Sequence, residues 1–116
     1  MAYWFMNPIH QLIHSLRLRS DVAIVERNQS WDVIIAKGEN YICEVTVPHN
    51  VLEWFACVKN HRENKQVWSD WMDYSGYDES PKDKLEAEMA AHILAFVDRV
   101  SASELVLPLQ IYQEKT

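Results

Sequence analysis

Glycine and cysteine are scarce in this 116-residue chain, at two residues each, and proline adds only four. A chain so poor in glycine and proline is not a linker, a collagen-like repeat or a low-complexity segment. No apolar run approaches the roughly 20 residues that a membrane-spanning helix needs. The opening Met1-Ala2-Tyr3-Trp4-Phe5-Met6 has no basic side chain and its apolar stretch is too short for a secretory signal. The expectation is therefore a cytoplasmic protein in which Cys43 and Cys57 are free thiols, each within a β-rich run where sulfur behaves as a small hydrophobe. Basic charge is also in deficit, with eleven Lys and Arg against seventeen Asp and Glu for a net charge of −6. That balance argues against nucleic acid or an anionic membrane as partner and favours a basic protein or a small ligand. Phosphate-binding glycine loops, zinc-finger spacings, nucleophile elbows and dinucleotide fingerprints are all missing.

What is present is apolar and aromatic. A hydrophobic content of 48%, with 11% aromatic, is enough for one core at this length, so residues 1–116 are read as a single domain. Asn7-Pro8 places a capping residue before a first-turn proline, and Ile9, Leu12, Ile13 and Leu16 follow at helical spacing toward a stop near Ser20. Val22–Glu26, Trp31–Ala36 and Tyr41–Val47 are β-rich runs separated by turn-forming residues. A second hairpin is predicted in which Leu52, Trp54, Ala56 and Val58 alternate with Glu53, Phe55, Cys57 and Lys59, and the polar loop Asn60 to Asn64 returns the chain into 66–74. Ser80-Pro81-Lys82-Asp83 has the order of a helix cap. Leu85, Met89, Ile93, Phe96, Val97 and Val100 then form an apolar stripe, with Glu86 and Glu88 directed outward or sideways. Residues from Glu104 to Tyr112 read as a strand or extended tail, confined by Pro108 to an edge. The predicted class is α+β: a mostly antiparallel sheet of five to six strands, an N-terminal helix, and a longer helix near the C-terminus packed on the sheet.

Catalytic chemistry finds little support. His10 and His14 stand four apart on a helix, a spacing that can share a metal, but Gln11-Leu12-Ile13 between them lacks the acid of a metalloprotease helix, so a surface role is the better reading. Cys57 and His61 are near in sequence, yet strand alternation gives no reason for a thiolate and its base to meet. Asp70 and Asp73 fall on opposite faces of one strand and so cannot form a general acid/base pair from it. No catalytic residue, metal site or cofactor is expected.

The segment Trp68 to Glu79 interleaves four aromatic rings with four carboxylates and contains no base. Between Asp70 and Glu88, seven acids outweigh two lysines for a local charge of −5, whereas the remainder of the chain carries −1. Rigid rings ringed by charge suit a protein interface, with acids steering a cationic partner and aromatics anchoring it. Asp70, Asp73, Asp78 and Glu79 are assigned the charge, Trp71, Tyr74 and Tyr77 the anchors, and Trp68 the core. Tyr3, Trp4 and Phe5 either cover the core or form a homodimer contact. A competing reading is a small ligand-binding or enzymatic domain with a pocket lined by Trp31, Trp54 and Trp68.

Glu53-Trp54-Phe55-Ala56-Cys57-Val58, Val67-Trp68-Ser69-Asp70-Trp71-Met72-Asp73-Tyr74, Gly76-Tyr77-Asp78 and the acidic-start helix around Leu85-Glu86-Ala87-Glu88-Met89 resemble the small immunity proteins encoded beside bacterial polymorphic or contact-dependent toxins. The resemblance spans residues 51 to 100. It implies a compact, acidic, cytoplasmic protein that neutralises a cognate toxin by covering its active site or an adjacent surface. It carries over no binding residues, so those named above rest on charge and aromatic pattern alone.

Overall fold

The computed structural model describes residues 8–26, 31–48, 51–74 and 82–104. In chain order they form helix α1 (Pro8–Arg17), strands β1 (Val22–Glu26), β2 (Trp31–Lys37), β3 (Tyr41–Pro48), β4 (Glu53–Asn60) and β5 (Lys65–Asp73), and helix α2 (Lys82–Ser101). The strands make a five-stranded antiparallel meander in the order β1-β2-β3-β4-β5. The α+β class, the leading helix and the longer second helix on the sheet are as the sequence predicts. The Tyr3–Phe5 lead, the Ser80-Pro81 cap and the extension after Glu104 lie outside the described residues.

Both helices lie on one face of the sheet. From α1 come Ile9, Leu12, Ile13 and Leu16, and from α2 Met89, Ile93, Phe96, Val97 and Val100; they close over Ile34, Ala36, Cys43, Val45, Val47, Trp54, Ala56, Val58 and Met72. The strand residues are the alternate positions of each strand, which is how a period of two presents one face to a core. Trp54 and Trp68 both pack on Phe96, with ring centroids 5.9 and 6.1 Å away. Glu86 departs from the sequence reading: it is only 9% exposed and sits beside the buried Leu85, because the covered stripe of α2 is wider than the apolar residues alone indicate.

Side chains that reach between elements fix the helices to the sheet. Arg19 grips Asp21 with Nε and Nη2, at 3.0 and 2.7 Å, and holds Asp98 of α2 through Nη1 at 2.6 Å. This fork holds the Asp21 carboxyl down to about 2, below the usual carboxylate range. At its far end α2 closes with Ser103 in the left-handed region (φ 61°), where Ser103 N donates to Val100 O and Glu104 N to Arg99 O. The Ser103 hydroxyl accepts from Glu39 N at 2.7 Å, so the β2–β3 turn is stitched to the helix end. Gly38 makes that approach feasible, since a Cβ there would collide with the Val100 carbonyl oxygen.

The β4–β5 hairpin decides what the sheet shows to solvent. Asn60 Oδ1 accepts from the amides of Arg62 and Glu63, and Asn64 takes a positive φ of 56°, which asparagine tolerates in a tight return. From the loop, Asn60 faces Lys65 and Lys59 faces Gln66, but Val58 then faces Trp68. Val67 is therefore the extra residue of a β-bulge.

Candidate functional site

Among the described residues no helix lies on the second face of the sheet at β3, β4 and β5. Across β3, β4 and β5 this face carries the rows Glu44–Cys57–Ser69 and Thr46–Phe55–Trp71, with Glu53 opposite Asp73 beyond them. Phe55 and Trp71 are 43% and 51% exposed, large values for rings of that size. They stack nearly parallel, with an interplanar angle of 15° and centroids 6.1 Å apart. The cross-strand pairing explains the stack, since directly opposed side chains on one face meet. Trp71 Nε1 donates to Glu53 Oε1 at 2.8 Å, which fixes the indole over Phe55.

Beside the rings lies an open depression of about 330 Å³ lined by Glu44, Thr46, Phe55, Ala56, Cys57, Ser69, Asp70 and Trp71. Its polar atoms are mostly acceptors. Lys59 Nζ is 3.5 Å from Glu44 Oε2, a long contact between two half-buried side chains. The Cys57 thiol donates to Gln66 Oε1 at 3.4 Å, and Gln66 in turn donates to Ser69. Partial burial pushes the Cys57 thiol up, and deeper burial pushes Cys43 to about 12. Neither sulfur has the lowered pKa of a nucleophile. The two lie on opposite faces of the sheet, as Cys43 pairs with Val58 and Glu44 with Cys57.

The residues singled out from sequence separate into four groups. Trp71 and Asp73 share the open face. Asp70, opposite Ala56, belongs by register to the helix-covered face yet is exposed along the free edge of β5. There its Oδ1 accepts from the Trp71 amide at 2.8 Å. Tyr74 is corrected: at 1% exposure it belongs to the core, where its hydroxyl accepts from Trp54 Nε1 at 3.1 Å and sits 2.7 Å from His92 Nδ1. A buried indole N–H needs an acceptor, and Tyr74 is the one that reaches it. Tyr77, Asp78 and Glu79 lie outside the described residues.

Phe55, Glu53 and Glu44 were absent from the sequence-derived site. The available signal for Phe55 was an aromatic at the polar positions of a strand, between Glu53 and Cys57. The aromatic pocket of the competing reading does not form. Trp54 and Trp68 pack on Phe96 under the helices, whereas Trp31 pairs with Pro48 in the row of the opposite face. His10 and His14 are both exposed on α1, and no group of three or more His, Cys, Asp or Glu suited to a metal occurs among the described residues. None of the described helices is long and apolar enough to cross a membrane. The chain matches no protein-family model, and neither a curated protein nor a solved structure matches it.

Proposed function

We propose that this chain is a non-enzymatic immunity protein that acts in the cytoplasm, binding and neutralising a cognate bacterial toxin of basic, nuclease type. The observation that carries the reading is the exposed Phe55–Trp71 stack on the sheet face away from both described helices, with Glu44, Glu53 and Asp73 on the same face and Asp70 at its rim. Large rigid rings, with the indole held by its hydrogen bond to Glu53, give contact area with little ordering cost. Carboxylates around them favour a cationic partner, and an enzyme built to hold phosphates offers such a surface. The excess of acid over the whole chain supports long-range steering in the same sense. Tyr77, Asp78 and Glu79, next along the chain, remain assigned to this surface on their sequence alone.

The test is binding to a basic toxin domain encoded beside this chain, followed across a salt series. Charge reversal at Asp70 and Asp73 is expected to lower the association rate about tenfold at low salt while leaving the melting temperature unchanged. Affinity indifferent both to salt and to these substitutions overturns the reading.

A further inference from the structure

We propose that the depression beside the Phe55–Trp71 stack is a receptor for one arginine side chain of the partner, with the guanidinium lying on the rings and paired to Glu44. The proposal rests on the reading of this face as the contact with a basic protein, and it names the group that the face reads.

Three features of the depression converge on that group. Its wall is aromatic, formed by the Phe55 and Trp71 rings, which stack with their planes only 15° from parallel. A flat cation stacks on such a wall through the negative faces of the rings. Glu53 Oε1, seated on the indole N–H at 2.8 Å, places a negative charge at the ring edge and reinforces the attraction. The remaining lining offers acceptors in different directions: the Glu44 carboxylate and the Thr46 and Ser69 hydroxyls. Arginine presents five donors in a planar fork, whereas lysine presents one compact ammonium that cannot stack flat. Finally, the cavity is incompletely neutralised. Its nearby cation is Lys59, whose ammonium stands 3.5 Å from one Glu44 oxygen and so leaves the carboxylate able to take a second, better-matched donor. At about 330 Å³ the depression is the size of one long side chain rather than of a folded segment.

The experiment titrates N-acetyl-arginine amide and N-acetyl-lysine amide separately into the intact chain at low salt, following the Trp54 and Trp71 indole N–H signals by NMR. The arginine probe is expected to move the Trp71 signal and leave the buried Trp54 signal in place. The lysine probe should bind about fivefold more weakly, the order of a stacking contribution. Glu44→Gln, which keeps shape and removes charge, is expected to weaken the arginine probe by about fivefold or more. Trp71→Leu should abolish its binding, with the remaining amide spectrum unchanged as the control for folding. Equal responses to the two probes, no response to either, or full binding by Glu44→Gln each overturn the arginine receptor. These failures are separable from failure of the functional reading. If salt and charge reversal at Asp70 and Asp73 still govern toxin binding, the surface is right and the receptor wrong; if they do not, the surface itself is wrong.

Discussion

Trp71 stands opposite Phe55, with its indole N–H on Glu53 and its ring 6.1 Å from the phenyl, on a sheet face that neither described helix covers. The arrangement holds a large apolar side chain in water at a fixed angle. Trp71→Ala is expected to change stability by no more than about 1 kcal/mol, the scale of a cross-strand pair. Partner binding should fall by at least about 2 kcal/mol, as for an interface anchor. Denaturant melts and calorimetric titration measure the two separately.

Tyr74 answers differently. Tyr74→Phe removes the acceptor of the buried Trp54 N–H and a neighbour of His92, while the ring remains. An orphaned donor in a core costs about 1–3 kcal/mol, so the variant should melt earlier and bind its partner unchanged. Weaker binding with unaltered stability would return Tyr74 to the surface.

The bulge at Val67 sets which residues the sheet exposes. Val67→Ala, at a half-exposed position, should cost less than about 1 kcal/mol. Deleting Val67 should also cost little, under about 2 kcal/mol, because Trp68 would then follow Gln66 directly opposite Val58 and Lys59, leaving Trp71 on Phe55 and Met72 on Trp54. The two denaturant midpoints provide the comparison, and a deletion that costs more than about 3 kcal/mol would show that Val67 is not merely the extra residue of the bulge.

Gly38 lies against the end of α2, where an added Cβ would strike the Val100 carbonyl oxygen. Gly38→Ala is expected to destabilise by more than about 1 kcal/mol, since backbone on one side and a helix on the other must separate. Hydrogen exchange should then rise at the Glu39 amide, which donates to Ser103 Oγ.

The Arg19 fork predicts a pH dependence. Asp21 has its carboxyl lowered to about 2 in the folded chain, chiefly by the Arg19 hydrogen bonds. A depressed carboxyl stabilises the fold above its unfolded pKa of about 3.9 and loses that contribution as pH falls through the folded value. The stability difference between wild type and Asp21→Asn should be level at neutral pH, shrink below about pH 4 and vanish near pH 2. Asp21 is largely exposed, so the level difference should stay under about 1 kcal/mol. Melts at a series of pH values check both features.

Much of this fold was legible because its signals are local. Ile9, Leu12, Ile13 and Leu16 announce α1 by spacing, and Trp54, Ala56 and Val58 announce the buried side of β4 by alternation. The site was less legible because it depends on register. Period two correctly separated Trp71 from Trp68 but left open which of the two faced water, and only the extra residue Val67 decides it. The same uncertainty hid Phe55, which becomes notable once Trp71 is known to lie beside it. Tyr74 was misplaced because it was grouped with Trp71 as an anchor of the acidic–aromatic segment, whereas period two puts it on the side of Met72, where its hydroxyl serves the Trp54 indole.

The carboxylate of Asp70 on the Trp71 amide has a consequence for how copies of the chain meet. Tyr74 N donates inward to Leu52 O, so by alternation the Trp71 amide points away from β4, toward the open edge of the sheet. A stranger's strand seeking to extend the sheet would find that donor already taken and a negative charge in its path. Self-association along β5 is thereby discouraged at this position, beside the exposed rings of Phe55 and Trp71.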